Sequence, residues 1–260
     1  MKKIFAITCA LSVIGSMASY ADVTLFDDDF SSSTIANDGR ISRDDVGEGW
    51  RKNTNSLWTA SGGNLANAGT TAGVPSEGAV GQVISVTTTD TSLTKIQVSF
   101  DYVVGTGSTL YFHLHGYTEN GAPAANEPLA NTGAQNGRIQ NQAENEYADI
   151  SLLDGSDPET EPSGYSLFAA GTSGNYAQTF DLTEYSWSAD ELPGISGSIG
   201  SIADFDLILA AFASKITQTD GSGAISVDNF KVTAIPEPAV LGLVVLFGSS
   251  FFFVRHFFDK

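Results

Sequence analysis

Cysteine is almost missing from this 260-residue chain: the single one is Cys9. Beyond residue 21 there is none, so neither disulfides nor a thiolate metal cluster can hold the rest, and a packed core must do so. Positive charge is scarce as well. Twelve Lys and Arg stand against 30 Asp and Glu, a formal net charge of −18. Nucleic acids and anionic membrane surfaces are recognised by clustered Lys and Arg, so the charge balance argues against both as surfaces that this chain binds. Charged residues of either sign make up only 16% of the chain, against roughly 25% in an ordinary soluble domain. Between residues 22 and 234 no stretch longer than ten residues keeps a 3.6-residue apolar period. Helical bundles and coiled coils are therefore excluded. There is no Gly-x-Ser-x-Gly elbow and no phosphate-cradling glycine loop, which removes two common routes to catalysis.

What the chain does have is glycine, hydroxyls and alternation. It carries 27 Gly, and Ser plus Thr make 52. In Lys95–Val104 the residues Ile96, Val98, Phe100, Tyr102 and Val104 fall on one face of a strand, with Gln97, Ser99 and Asp101 on the other. In Ser108–Tyr117, Leu110, Phe112 and Leu114 alternate with Tyr111, His113, His115 and Tyr117. The short Gly105-Thr106-Gly107 link predicts that these two strands form an antiparallel hairpin. Further strands are predicted at 23–30, 80–87, 148–153, 176–182, 205–213 and 225–233. Eight or more short strands with Gly-rich turns predict an all-β, two-sheet jelly-roll sandwich over residues 22–234. Trp50, Trp58 and Trp187 are expected in its core. Thr118–Tyr147, rich in Asn, Gln and Ala and with two Asn-Gly pairs, reads as a long loop.

The two ends have a different character. Met1-Lys2-Lys3 precedes an apolar run from Ile4 to Met17, and Ser19-Tyr20-Ala21 supplies small residues before a cleavage point. This predicts a signal helix over 1–21, cut between Ala21 and Asp22. At the other end Pro236-Glu237-Pro238 leads into an apolar stretch, Ala239–Val254, and a tip carrying Arg255. Sixteen residues of helix reach about 24 Å, and with the tip included the segment predicts a single transmembrane helix. Signal peptide, Pro-Glu-Pro, apolar helix and basic tip together resemble the PEP-CTERM sorting signal of Gram-negative bacteria, over residues 235–260. The resemblance implies recognition of Pro236, Glu237 and Pro238 by an exosortase. It also implies an exported protein, tethered to the inner membrane before processing and then placed at the cell surface or in the extracellular matrix.

The body resembles the jelly-roll domains of secreted carbohydrate-binding proteins. The resemblance rests on Phe26-Asp27-Asp28-Asp29-Phe30, on Gly49-Trp50 and Leu57-Trp58, and on Val227-Asp228-Asn229-Phe230. It implies that the first and last strands pair and that they hold a structural calcium ion. Ca2+ takes six to eight oxygen ligands, and Asp27, Asp29 and Asp228 are the candidates. Tyr111, His113, His115 and Tyr117 share one strand face, where aromatic rings and polar groups together suit a sugar ring. Gly107, His113, His115 and Glu119 also resemble the first metal-binding motif of the cupins. That resemblance implies a transition-metal enzyme, although Asn126 stands at the motif's closing glycine and the one remaining histidine is His256. Glu144, Glu146 and Asp149 lack the Glu-x-Asp-x-x-Glu spacing of sandwich-fold glucanases. The expected role is thus a non-enzymatic surface or matrix protein that binds polysaccharide. A cupin-like metal enzyme and a purely structural biofilm protein are the alternatives.

Overall fold

The computed structural model describes residues 21–37, 40–42, 45–47, 49–52, 56–68, 76–119, 128–135, 138–141, 147–153, 165–192, 195–217 and 222–237. The expected signal helix, Pro238 and the apolar stretch Ala239–Val254 lie outside them. Among the described residues no helix is long and apolar enough to cross a membrane.

β-Branched and aromatic residues at every second position favour pleated strands, because the pleat sorts them onto one face that can be buried. Eighteen strands form among the described residues. They are β1 (Val23–Asp28), β2 (Ile35–Asn37), β3 (Arg40–Ser42), β4 (Trp50–Lys52), β5 (Trp58–Ser61) and β6 (Asn64–Asn67). Then come β7 (Ser76–Ser85), β8 (Lys95–Val104), β9 (Ser108–Glu119), β10 (Pro128–Gln135), β11 (Arg138–Asn141) and β12 (Tyr147–Ser151). The chain continues through β13 (Tyr165–Phe168), β14 (Ser173–Asp181), β15 (Ser186–Leu192), β16 (Ile195–Ser198), β17 (Leu207–Ile216) and β18 (Ile225–Ile235).

One sheet runs β14-β8-β18-β6-β5, with β1 also on β18; the facing sheet runs β12-β9-β17-β7-β4-β2, with β13 also on β9. The all-β, two-sheet sandwich is therefore present. The first and last strands pair antiparallel, from Val23 opposite Ala234 to Asp28 opposite Phe230. The expected 95–117 hairpin is not formed. β8 pairs with β14 and β18, β9 pairs with β17, and the glycine link carries the chain from one sheet to the other. Both strands keep the apolar faces read from their alternation, but those faces meet across the sandwich.

The core lies between the sheets. Phe100 of the first sheet meets Phe112 and Phe212 of the second, each at 5.1 Å between ring centroids, and stacks on Tyr176 at 4.8 Å. Such pairs add about 0.5–1.5 kcal/mol each beyond area burial. Trp50 and Trp58 are fully buried, and Trp187 packs edge-on against Phe205. A third layer was not expected. β3, β10 and β11 form a small sheet that lies over β7 and β17, with Ile41 buried among Val83, Leu209 and Ala211. β10 and β11 both arise inside the stretch that reads as a loop.

Candidate functional site

β9 does what its alternation demands. Tyr111, His113, His115 and Tyr117 share one face, with the His113 and His115 rings 6.0 Å apart and nearly parallel. The His115 and Tyr117 rings follow at 6.4 Å. The face is not open, however. Tyr111 is 9% exposed, His113 1%, His115 4% and Tyr117 0%. Tyr165 of β13 packs against both Tyr111 and His113. The four side chains join the second buried layer, so the expected sugar platform is corrected to a core face. The reason is burial on both sides of the sheet, which a run alternating between apolar and amphipathic residues does not disclose.

The cupin-like set also fails to assemble. Glu119 shares the face but lies four residues beyond His115, about 13 Å along a strand, whereas zinc ligands converge to about 2 Å from one ion. Its backbone N–H donates to Asp206 Oδ2 at 2.8 Å. Among the described residues no group of three or more His, Cys, Asp or Glu side chains is placed to hold a metal.

The calcium trio is split by the strand pairing that was meant to gather it. Asp27 stands opposite Lys231, and their charged ends lie 3.6 Å apart. Asp29 lies past the strand end, where its Oδ1 accepts the Ser31 N–H at 2.9 Å. The Ser31 side-chain and backbone hydrogen bonds hold its carboxyl below the ordinary carboxylate range. Asp228 accepts the N–H of Asn229 at 2.7 Å and faces Asp101 on β8. Three carboxylates with three separate partners do not form the shared oxygen cage that Ca2+ needs. They do not fit the ion as an existing set.

The middle aspartate, which sequence reasoning passed over, has the structural role. Asp28 Oδ1 accepts the N–H of Phe30 at 2.7 Å and the Ser33 hydroxyl at 2.5 Å. Its Oδ2 accepts Nε1–H of the buried Trp50 at 2.8 Å. Phe30 turns the chain with φ +54. These bonds hold the segment after β1 against β4 and leave an open cleft of about 310 Å3 between β1, the 32–34 segment, β4 and β7. Its walls include Phe26, Asp27, Asp28, Thr34 and Trp50, with Gly47 and Gly49 at the rim and Gln82. Gly49 has φ +91, and a Cβ there would come within 3.2 Å of the Thr34 carbonyl oxygen. Gln82 points from β7 into the sandwich, since its register partner Ala210 is a core residue. It is 1% exposed; Nε2 donates to Val83 O at 2.8 Å, and Oε1 is buried with no hydrogen-bond partner. The sequence signal for this cleft was faint: a triple aspartate and a Gly-Trp pair some twenty residues apart, joined only by folding.

No family model matches the chain, and no curated protein matches it. Among solved structures it is similar to the xylan-binding CBM22-1 domain of Paenibacillus barcinonensis Xyn10C, at 14% identity. That match covers 85% of this chain and 100% of the other, with a TM-score of 0.32. It is also similar to the family 11 carbohydrate-binding module of Clostridium thermocellum, solved with a β-1,3-1,4-mixed-linked tetrasaccharide. There the identity is 14%, the coverage 85% and 100%, and the TM-score 0.35. A chain from work on endo-acting O-glycanases of the human gut microbiota matches at 13% identity, with coverage of 82% and 99% and a TM-score of 0.36. Likeness at this level carries no argument, and the sandwich rests on its own strand pairing.

Proposed function

We propose that this chain is an exported surface or matrix protein that binds polysaccharide without transforming it. Export rests on the signal-peptide pattern before Asp22, and sorting on Pro236-Glu237-Pro238 with the apolar tail behind it. An exosortase and the membrane are the partners this implies. Pro236 and Glu237 directly follow β18, and the Glu237 N–H donates to Ser92 O at 3.0 Å. Binding rests on one observation, the open cleft whose accessible lining includes Phe26, Asp27, Ser32, Ser33 and Thr34. A concave site that combines an apolar ring with a few polar groups is the usual form of a small-ligand pocket. Binding without chemistry is supported by Asp28, whose two oxygens already accept three hydrogen bonds that hold the turn, and by Asp27, which is paired with Lys231. A general acid or base must be free to reach the substrate proton.

Affinity electrophoresis of the mature protein through gels containing soluble polysaccharides tests the binding. Retardation in at least one polysaccharide is expected; free migration in all of them would favour a purely structural matrix protein. Mass spectrometry of the surface fraction tests the sorting. The expected chain begins at Asp22 and ends before Ala239, whereas a peptide ending at Lys260 in that fraction would reject processing.

A further inference from the structure

We infer that β14 joins two copies of this chain, its free edge pairing antiparallel with the same edge of a second copy across a two-fold axis at Ala177. The inference goes beyond polysaccharide binding and does not depend on it. Among the described residues β14 ends its sheet, with β8 on one side and no strand on the other. An unpaired edge presents a row of backbone donors and acceptors, and proteins blunt it with short length, charge, proline, a bulge or a cover. The strands that end the two large sheets elsewhere are blunted in these ways. β2 has three residues, and β5 and β13 have four each. β12 has five and packs against β15. β1 has a bulge between Thr24 and Phe26 and carries Asp27 and Asp28. β14 is different. Its nine residues pair with β8 without a register shift and include no Pro, Lys or Arg. From Ser173 to Thr179 they are exposed, apart from the half-buried Tyr176.

The ladder fixes which backbone groups are free. Val104 N–H donates to Thr172 O and Leu182 N–H to Thr94 O, at the two ends of the β14–β8 register. In an antiparallel pair such bonds recur at every second residue. The even-numbered residues of β14 therefore bond β8. Ser173, Asn175, Ala177, Thr179 and Asp181 turn their N–H and C=O groups to the open edge.

Charge selects a second copy as the partner. The body has 8 Lys and Arg against 28 Asp and Glu, so most of its surface repels a copy. No charged residue occurs from Tyr165 to Phe180. Asp181, the one charged residue of β14, lies 3.0 Å from Lys95 Nζ. About an axis at Ala177, Asp181 falls opposite Ser173 of the second copy, so no carboxylate meets another, a juxtaposition that would be destabilising. Asn175 falls opposite Thr179. Tyr176 falls opposite Gln178, a pair that already hydrogen-bonds within one strand at 2.7 Å. Phe180 falls opposite Gly174, which leaves room beside its ring. A two-fold contact of this kind closes after two copies. β1 lies beyond β18 from β14, so both clefts stay open in the dimer.

The test uses the mature full chain. Sedimentation velocity should show a monomer–dimer equilibrium that NaCl shifts toward the dimer, because screening weakens the repulsion between two acidic bodies. Ala177→Pro, at an exposed edge position whose N–H is free of the ladder, should weaken dimerisation at least about tenfold, since both hydrogen bonds at the axis are lost. Ala177→Cys supplies a second reading. Residues paired in this way lie about 5.5 Å apart at Cα, within disulfide range. The natural Cys9 precedes Asp22, so the introduced thiol is the only one in the mature chain. Oxidation should link Ala177→Cys into a covalent dimer, and should not link Thr59→Cys, at an exposed position on β5. A monomer at every protein and salt concentration would overturn the inference. So would a dimer that Ala177→Pro does not weaken, or cross-linking of Ala177→Cys no faster than that of Thr59→Cys; either result places the contact elsewhere, the apolar tail included. Polysaccharide binding would stand in each of these cases.

Discussion

Asp101 shows how this acidic molecule holds a carboxylate without a cation. Asn175 Nδ2 donates to its Oδ1 at 3.0 Å and Asn229 Nδ2 to its Oδ2 at 2.8 Å. The Asn175 bond first, and the Asn229 bond second, hold its carboxyl below the ordinary range. A depressed folded value adds stability that is present above the unfolded value of about 3.9 and is lost as pH falls through the folded one. Asn175→Ala should therefore bring the Asp101 carboxyl back toward its ordinary range, read by NMR titration, and acid unfolding should begin at a higher pH. An unchanged titration would show that Asn175 does not hold the carboxylate. The triple aspartate carries the same lesson about legibility. Alternation correctly sets Asp27 and Asp29 apart from Asp28. It does not reveal that Lys231 and Ser31 partner the outer two while Trp50 partners the middle one, because those partners depend on which strand lies alongside.

At the scale of elements, β8 and β9 illustrate what a link of three residues leaves open. A hairpin and a crossing between sheets both bury Phe100 and Phe112, and the local sequence suits either. The choice falls to distant strands: β14 and β18 take the two edges of β8, and β17 takes an edge of β9. The crossing makes Gly105 indispensable. A Cβ there would collide with the Ser222 carbonyl oxygen and lie 2.8 Å from that of Ala224, the acceptor of the Gly105 N–H. Gly105→Ala should cost roughly 3 kcal/mol, the upper part of the range for overpacking, while the neighbouring Thr106→Ala should stay within about 0.5 kcal/mol. Urea midpoints of the two variants check this; equal midpoints would mean that the crossing can shift to make room. The third layer had a local signal that went unread. β10 and β11 flank Asn136-Gly137, with Gln135 opposite Arg138, and Asn-Gly is the strongest short hairpin cue.

At the scale of the whole molecule, the balance of charge dominates. A body with 28 Asp and Glu against 8 Lys and Arg repels itself, which opposes the compact state until salt screens it. The melting temperature should rise with NaCl. At matched ionic strength Ca2+ should add nothing, because Asp27, Asp29 and Asp228 already have separate partners. A further rise of several degrees with Ca2+ would mean that the ion gathers the three carboxylates after all.

Sequence alone determined the class of this body. Period-two alternation, abundant glycine and the lack of a helical period leave an all-β sandwich, since strand faces are a local property of every second side chain. Only the tertiary structure decided which of those faces meets water. The row from Tyr111 to Tyr117 looks wet and is dry, because Tyr165 of β13 packs on Tyr111 and His113 and the row is buried together with Leu207, Leu209 and Ala211 of β17. The cleft beside Asp27 and Thr34 exists because β1, β4 and β7, far apart in the chain, lie beside one another. Exposure depends on contacts between distant segments, and the order of residues along a strand does not contain it.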